Sequence, residues 1–186
     1  VVDRQPERIG AVDVDDDGFV LYLNGVEVAR RNAGGTAGMP LAFNALAPLS
    51  REVGAPEVLD LTAERSLLVS GSNVLALHVL NQTLASTDLS ILPSLRGQVE
   101  IVGAELSLNR IVSSTAVARS SAWGYWKGSA EPSAVLGDWT ALGFDDASWA
   151  VGTAGFGYGD NDDATVLTDM LNGYSTVYIR RRFTVA

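Results

Sequence analysis

Two short acidic runs carry the densest chemistry in this chain. Asp13, Asp15, Asp16 and Asp17 stand in "DVDDDG", and Asp160, Asn161, Asp162 and Asp163 stand in "GDNDDAT". Calcium takes about six to eight oxygen ligands, and closely spaced Asp and Asn in a glycine-bearing loop supply such oxygens. Neither run has EF-hand spacing or its distal glutamate. The candidate calcium ligands are therefore Asp15 and Asp17 in the first run, and Asp160, Asp162 and Asp163 in the second. The competing reading is a solvated turn in which Asp and Asn side chains cap their own backbone.

The second group is aromatic. Pyranose rings present an apolar C–H face that an exposed indole or phenol ring can cover. Trp123, Trp126, Trp139 and Trp149, with Tyr125 and Tyr158, are the residues able to do this. Trp126, two residues after Gly124 in "WGYWKG", is the candidate for exposure; Trp139 and Tyr158 complete the ligand-binding set. Arg30 and Asn32, just past a hairpin, could hydrogen-bond a ligand at a loop rim. Arg180, Arg181 and Arg182 read as surface charge, with Arg181 pointing away from its two neighbours on a strand.

Other chemistries lack material. His78 is the only histidine and there is no cysteine. Zinc centres, histidine triads, thiolate nucleophiles and disulfides are excluded or starved of ligands. His78 shares a strand face with Val74, Ala76 and Leu80, which suits a core residue. No "GxSxG" elbow occurs. Asp145 and Asp146 are adjacent, so on a strand end they point to opposite sides and make a poor glycosidase pair. The sequence is read as non-enzymatic.

The net charge is −9 over 186 residues, which argues against nucleic acid or an anionic membrane as partner. No apolar run reaches the roughly 18 residues of a membrane helix, so no membrane insertion is expected. The first ten residues, "VVDRQPERIG", lack the basic and apolar regions of a signal peptide. At 47% hydrophobic and 19% charged, the chain suits a globular domain.

The elements that must hold these residues are strands. "FVLYLNGVEVARR" is an apolar run, an Asn24-Gly25 turn and an alternating run, which predicts a hairpin with a type I′ turn. Asn73 to Asn81 is apolar on both faces and predicts a central strand. "VEIVGAELSL" predicts two short strands around Gly103, and "SSTAVARSSA" a loop. Within "PEVLDLTAERSLLVSG" a helical turn is expected, or equally a strand over Leu59 and Leu61 followed by a short helix. "YSTVYIRRRFTV" predicts a half-buried closing strand with Val177, Ile179, Phe183 and Val185 on its inner face. Many short strands and almost no helix make this an all-β chain, a β-sandwich.

Several of these stretches resemble a known module. "DDDGFVLYLNGVEVARRN" and "LLVSGSNVLALHVLNQTLASTDLSILPSL" are similar to the second half of a galactose-binding-like jelly-roll module. "WGYWKGSAEPSAVLGDWTALGFDDASWAVGTAGFGYGD" and the closing strand resemble its first half. Such modules occur in large secreted or surface proteins of planctomycete-type bacteria. The order of the halves is reversed here. The resemblance implies one jelly-roll sandwich over residues 1–186, either circularly permuted or completed by half-module exchange. Residues 1–95 and 123–186 would be its halves and residues 96–122 the connector.

The resemblance further implies an accessory module for binding or adhesion, extracellular or at the cell surface. Polysaccharide or glycan is the expected partner, with calcium as a candidate ion and Trp149 and Phe144 as packing residues. The alternative it leaves open is a spacer in a tandem surface array. Such a spacer would contact neighbouring modules or a second copy and bind no small ligand.

Overall fold

Asn24 and Gly25 adopt φ values of 51° and 89°, the left-handed conformations that a type I′ turn requires. The turn joins the two strands that the sequence places on either side of it. The computed structural model describes residues 8–10, 13–14, 17–51, 57–102 and 109–185. In chain order the strands are β1 (Arg8–Gly10), β2 (Asp13–Val14), β3 (Gly18–Leu23), β4 (Val26–Arg31), β5 (Gly71–Leu80), β6 (Leu89–Leu92) and β7 (Leu95–Val102). They continue as β8 (Asn109–Val117), β9 (Ala122–Lys127), β10 (Ala150–Thr153), β11 (Phe156–Tyr158), β12 (Thr165–Val166) and β13 (Thr176–Val185). Two 3₁₀ turns, Thr62–Leu67 and Asp138–Thr140, are the helical pieces among the described residues.

The strands form a six-stranded sheet, β10-β9-β13-β5-β3-β4, a four-stranded sheet, β12-β11-β6-β2, and a three-stranded sheet, β1-β7-β8. The fold is an all-β sandwich of largely antiparallel sheets. Both larger sheets are assembled from the two ends of the chain. In the six-stranded sheet β13 pairs with β5 over ten residues, from Thr176↔Leu80 to Val185↔Gly71. In the four-stranded sheet β11 pairs with β6 from Phe156↔Ile91 to Tyr158↔Leu89. The last strand thus finds β5 on one side and β9 on the other within its own chain. Its central position satisfies both of its backbone edges, which an edge position would leave open.

The segment between the halves is more regular than expected. β7 and β8 pair from Leu95↔Val117 to Val102↔Asn109, and β1 adds to β7. Part of the expected "SSTAVARSSA" loop, Ser113 to Val117, is strand. Thr115 and Val117 are β-branched strand formers, and the long partner strand β7 supplies the ladder for the serines. Of the two short strands expected around Gly103, the first runs within β7; residues 103–108 lie outside the described part.

The centre of the six-stranded sheet is buried on both faces. Its inner face sends Phe19, Leu21, Leu75, Leu77, Val79, Val177, Ile179 and Phe183 against Ile91 and Phe156 of the four-stranded sheet. Its outer face sends Val20, Tyr22, Val74, Ala76 and Tyr178 against Trp139 and Trp149. That outer layer comes from the irregular stretches 33–48 and 129–149, through Ala33, Leu41, Phe43, Leu142 and Phe144. The closing strand is therefore buried on both faces over most of its length, not on one.

Candidate functional site

Trp126 stands near the end of β9, where the sheet edge changes. β10 begins at Ala150 opposite Tyr125, so its ladder with β9 stops one residue short of Trp126. On the other side Trp126 stays paired with Tyr178 of β13. The step in the edge leaves an open groove of about 280 Å³, lined by Tyr125, Trp126, Lys127, Ser129, Ser148 and Ala150.

The groove's aromatic wall is preorganised. The Trp126 indole N–H donates to the Ala130 carbonyl at 3.0 Å. Its ring lies 6.2 Å from that of Trp149, which is buried and lies 6.2 Å from Trp139. Trp139 in turn meets Tyr178 edge-on at 4.9 Å and Tyr22 at 5.5 Å. A row of rings thus runs from the groove into the outer core, fixing Trp126 while leaving it half-buried. Tyr125 faces the inner layer, 5.5 Å from Phe156, and reaches the groove from the opposite side of β9.

Lys127, the only lysine, is clasped by Asp169 at 2.8 and 2.7 Å. Its ammonium lies 5.9 Å from the Tyr174 ring centre. The Tyr174 hydroxyl donates to the same carboxylate at 3.0 Å. The Lys127 hydrogen bond holds the Asp169 carboxyl below its usual range. Ser129 and Ser148 stand exposed at the rim.

The other expected ligand-binding residues lie elsewhere and serve the fold. Trp139 is 1% exposed and Tyr158 is 7% exposed, so neither offers a ring face to solvent. The Tyr158 hydroxyl donates to the Ser86 carbonyl and accepts from Asn81 Nδ2. Arg30 forms a bidentate pair with Glu27, both bonds at 2.8 Å, and also donates to the Gly34 and Met39 carbonyls. Asn32 Nδ2 donates to the carbonyls of Asp17 and Leu49.

The acidic runs differ from each other. Asp17 is 4% exposed, and its carboxylate accepts from the backbone N–H of Arg51 and of Gln82, so it caps two loop segments. Asp15 lies outside the described residues. In the second run, Asp160, Asp162 and Asp163 converge, each bringing a carboxylate oxygen within 4.8 Å of the others. Asp160 and Asp162 are exposed, whereas both Asp163 oxygens are shut off from solvent. The Asp163 carboxylate lies against β11, where a Cβ built on Gly157 would sit 2.5 Å from Oδ2. Burial first, then the charges of Asp160 and Asp162, push the Asp163 pKa up to about 7.

Two further groups escaped the sequence reading. Arg180 is fully buried, not a surface charge. It pairs with Asp146 and donates to the Phe144 and Ala141 carbonyls at 3.3 and 3.0 Å. Arg182 donates to the Leu142 and Phe144 carbonyls, so both arginines pin the covering loop to the sheet. Lys127, Ser129 and Ser148 carried no signal of their own; the nearest clue was that Lys127 follows the one tryptophan picked for exposure. His78 is a core residue, 1% exposed and stacked 4.0 Å from Tyr178, and burial lowers its pKa to about 3.

No family model, no curated protein and no solved structure matches this chain.

Proposed function

We propose that this chain is a non-catalytic binding or adhesion module of a secreted or surface bacterial protein, and that it takes a carbohydrate in the groove beside Trp126. The observation that carries this reading is the groove's make-up. A half-buried indole is held in place by a tilted ring contact and a hydrogen bond, and Ser129, Ser148 and Tyr125 line the same groove. An apolar ring face beside a few hydroxyls matches a pyranose, which has an apolar C–H face and a polar edge. Preorganisation lowers the ordering cost of binding.

The non-catalytic part rests on the carboxylates. Asp146 is engaged by the buried Arg180, and Asp145 accepts from the Ala147 N–H. Both carboxylates thus already hold partners within the fold. The convergent trio of Asp160, Asp162 and Asp163 supports calcium as a structural ion. A hard cation would offset the mutual repulsion that raises the Asp163 pKa.

Retention of the protein by a panel of insoluble and soluble polysaccharides tests the reading. Binding to at least one polymer, weakened by Trp126→Ala, is expected. Silence across the panel removes the carbohydrate reading and favours the spacer of a tandem surface array.

A further inference from the structure

The charge of the groove is set by one residue. Lys127 is the only cation among its lining residues, and Tyr125, Trp126, Ser129, Ser148 and Ala150 carry none. Left free, an ammonium beside an aromatic wall would select a carboxylate- or sulfate-bearing sugar. It is not free. Asp169 meets it with both oxygens, and Tyr174 donates to one of the same two oxygens. The pair presents no net charge to the groove, and the chain around it carries −9.

We propose that the groove takes a neutral sugar and rejects uronates and sulfated sugars, with the Lys127–Asp169 clasp as the element that sets this choice. The proposal rests on the carbohydrate reading above. An acidic sugar entering the groove has to displace Asp169 from the ammonium. It would also bring a second anion close to that carboxylate, in a protein whose overall field already repels it. A neutral pyranose meets neither obstacle. It covers Trp126 with its C–H face and directs hydroxyls to the serines. Lys127 keeps its head with Asp169.

Affinity electrophoresis separates the possibilities. Wild-type protein is run through gels holding a neutral polysaccharide, a glucan or a galactan, and through gels holding pectate, alginate or a sulfated galactan. The expected result is retardation by a neutral polymer and none by the acidic ones. Asp169→Asn frees the ammonium while keeping an acceptor for Tyr174. It should raise affinity for an acidic polymer at least tenfold, and salt should abolish the gain. The second readout needs no variant: wild-type retention on the neutral polymer should be unchanged between about 50 mM and about 500 mM salt. Preference of the wild type for acidic polymers, or Asp169→Asn folded yet blind to them, overturns the charge assignment and leaves sugar binding standing. No retardation by any polymer overturns the carbohydrate reading and this inference with it.

Discussion

Arg180 and Asp146 join the last strand to the cover of its sheet. Arg180, 1% exposed at the centre of β13, donates to a carboxylate that lies in the loop after Phe144. The same guanidinium donates to two loop carbonyls and lies 5.3 Å from the Phe144 ring centre. The outer layer of the sandwich is therefore fastened by charge as well as by apolar contact.

Breaking this pair from the loop side leaves a buried guanidinium with carbonyls as its remaining acceptors. Asp146→Ala should lower stability by about 2 kcal/mol, less than the roughly 3–5 kcal/mol of a fully enclosed pair because the Asp146 side chain is 28% exposed. Arg180→Met with Asp146→Ala together should recover most of that loss. Urea unfolding of the two single variants and the double variant measures the coupling.

Trp139 and Trp126 share one row of rings but have different jobs. Trp139→Ala should cost about 3–5 kcal/mol, because it empties the centre of the outer layer. Trp126→Ala removes a half-buried ring at the end of the row and should cost about 1–2 kcal/mol, well under the interior value. Chemical denaturation of both variants checks the contrast; equal losses would place Trp126 in the core.

Two groups should shape the pH profile from opposite sides. His78 has its pKa lowered to about 3 by burial. Its contribution to stability is complete above its unfolded value of about 6.5 and is lost as pH falls towards 3. His78→Phe should flatten this acid limb. Asp163 has its pKa raised to about 7, so its neutral form is favoured in the fold. That contribution is complete below about 4 and is lost as pH rises through 7. Melting temperature against pH, with Asp163→Asn as the comparison, separates the two limbs.

Calcium should remove the second limb. If the ion sits among Asp160, Asp162 and Asp163, millimolar calcium raises the melting temperature at pH 8 and chelator lowers it again. Asp163→Asn should abolish the response. An unchanged melting temperature under both treatments rules calcium out at this loop.

The hairpin, the central strand and the inner face of β13 were readable because each rests on a local pattern. Asn24-Gly25 tolerates positive φ, and residues 73–81 are apolar on both faces. Val177, Ile179 and Phe183 alternate, and all three reach the inner core. The outer cover was not readable, because residues 33–48 and 129–149 have no period to reveal what they lie on. For the same reason Arg180 read as surface charge: alternation assigns a side chain to a face without saying whether a loop covers that face. The groove was half readable. Trp126 stood out by type, but Ser148 joins it only because β10 starts where it does.

The most direct test of the account is isothermal titration of wild-type protein and Trp126→Ala with a neutral polysaccharide that retains the wild type. Saturable binding by the wild type is expected, with at least a tenfold loss in a Trp126→Ala protein that remains folded by circular dichroism. Equal affinity of the two proteins, or the absence of any neutral polysaccharide that binds, would contradict it.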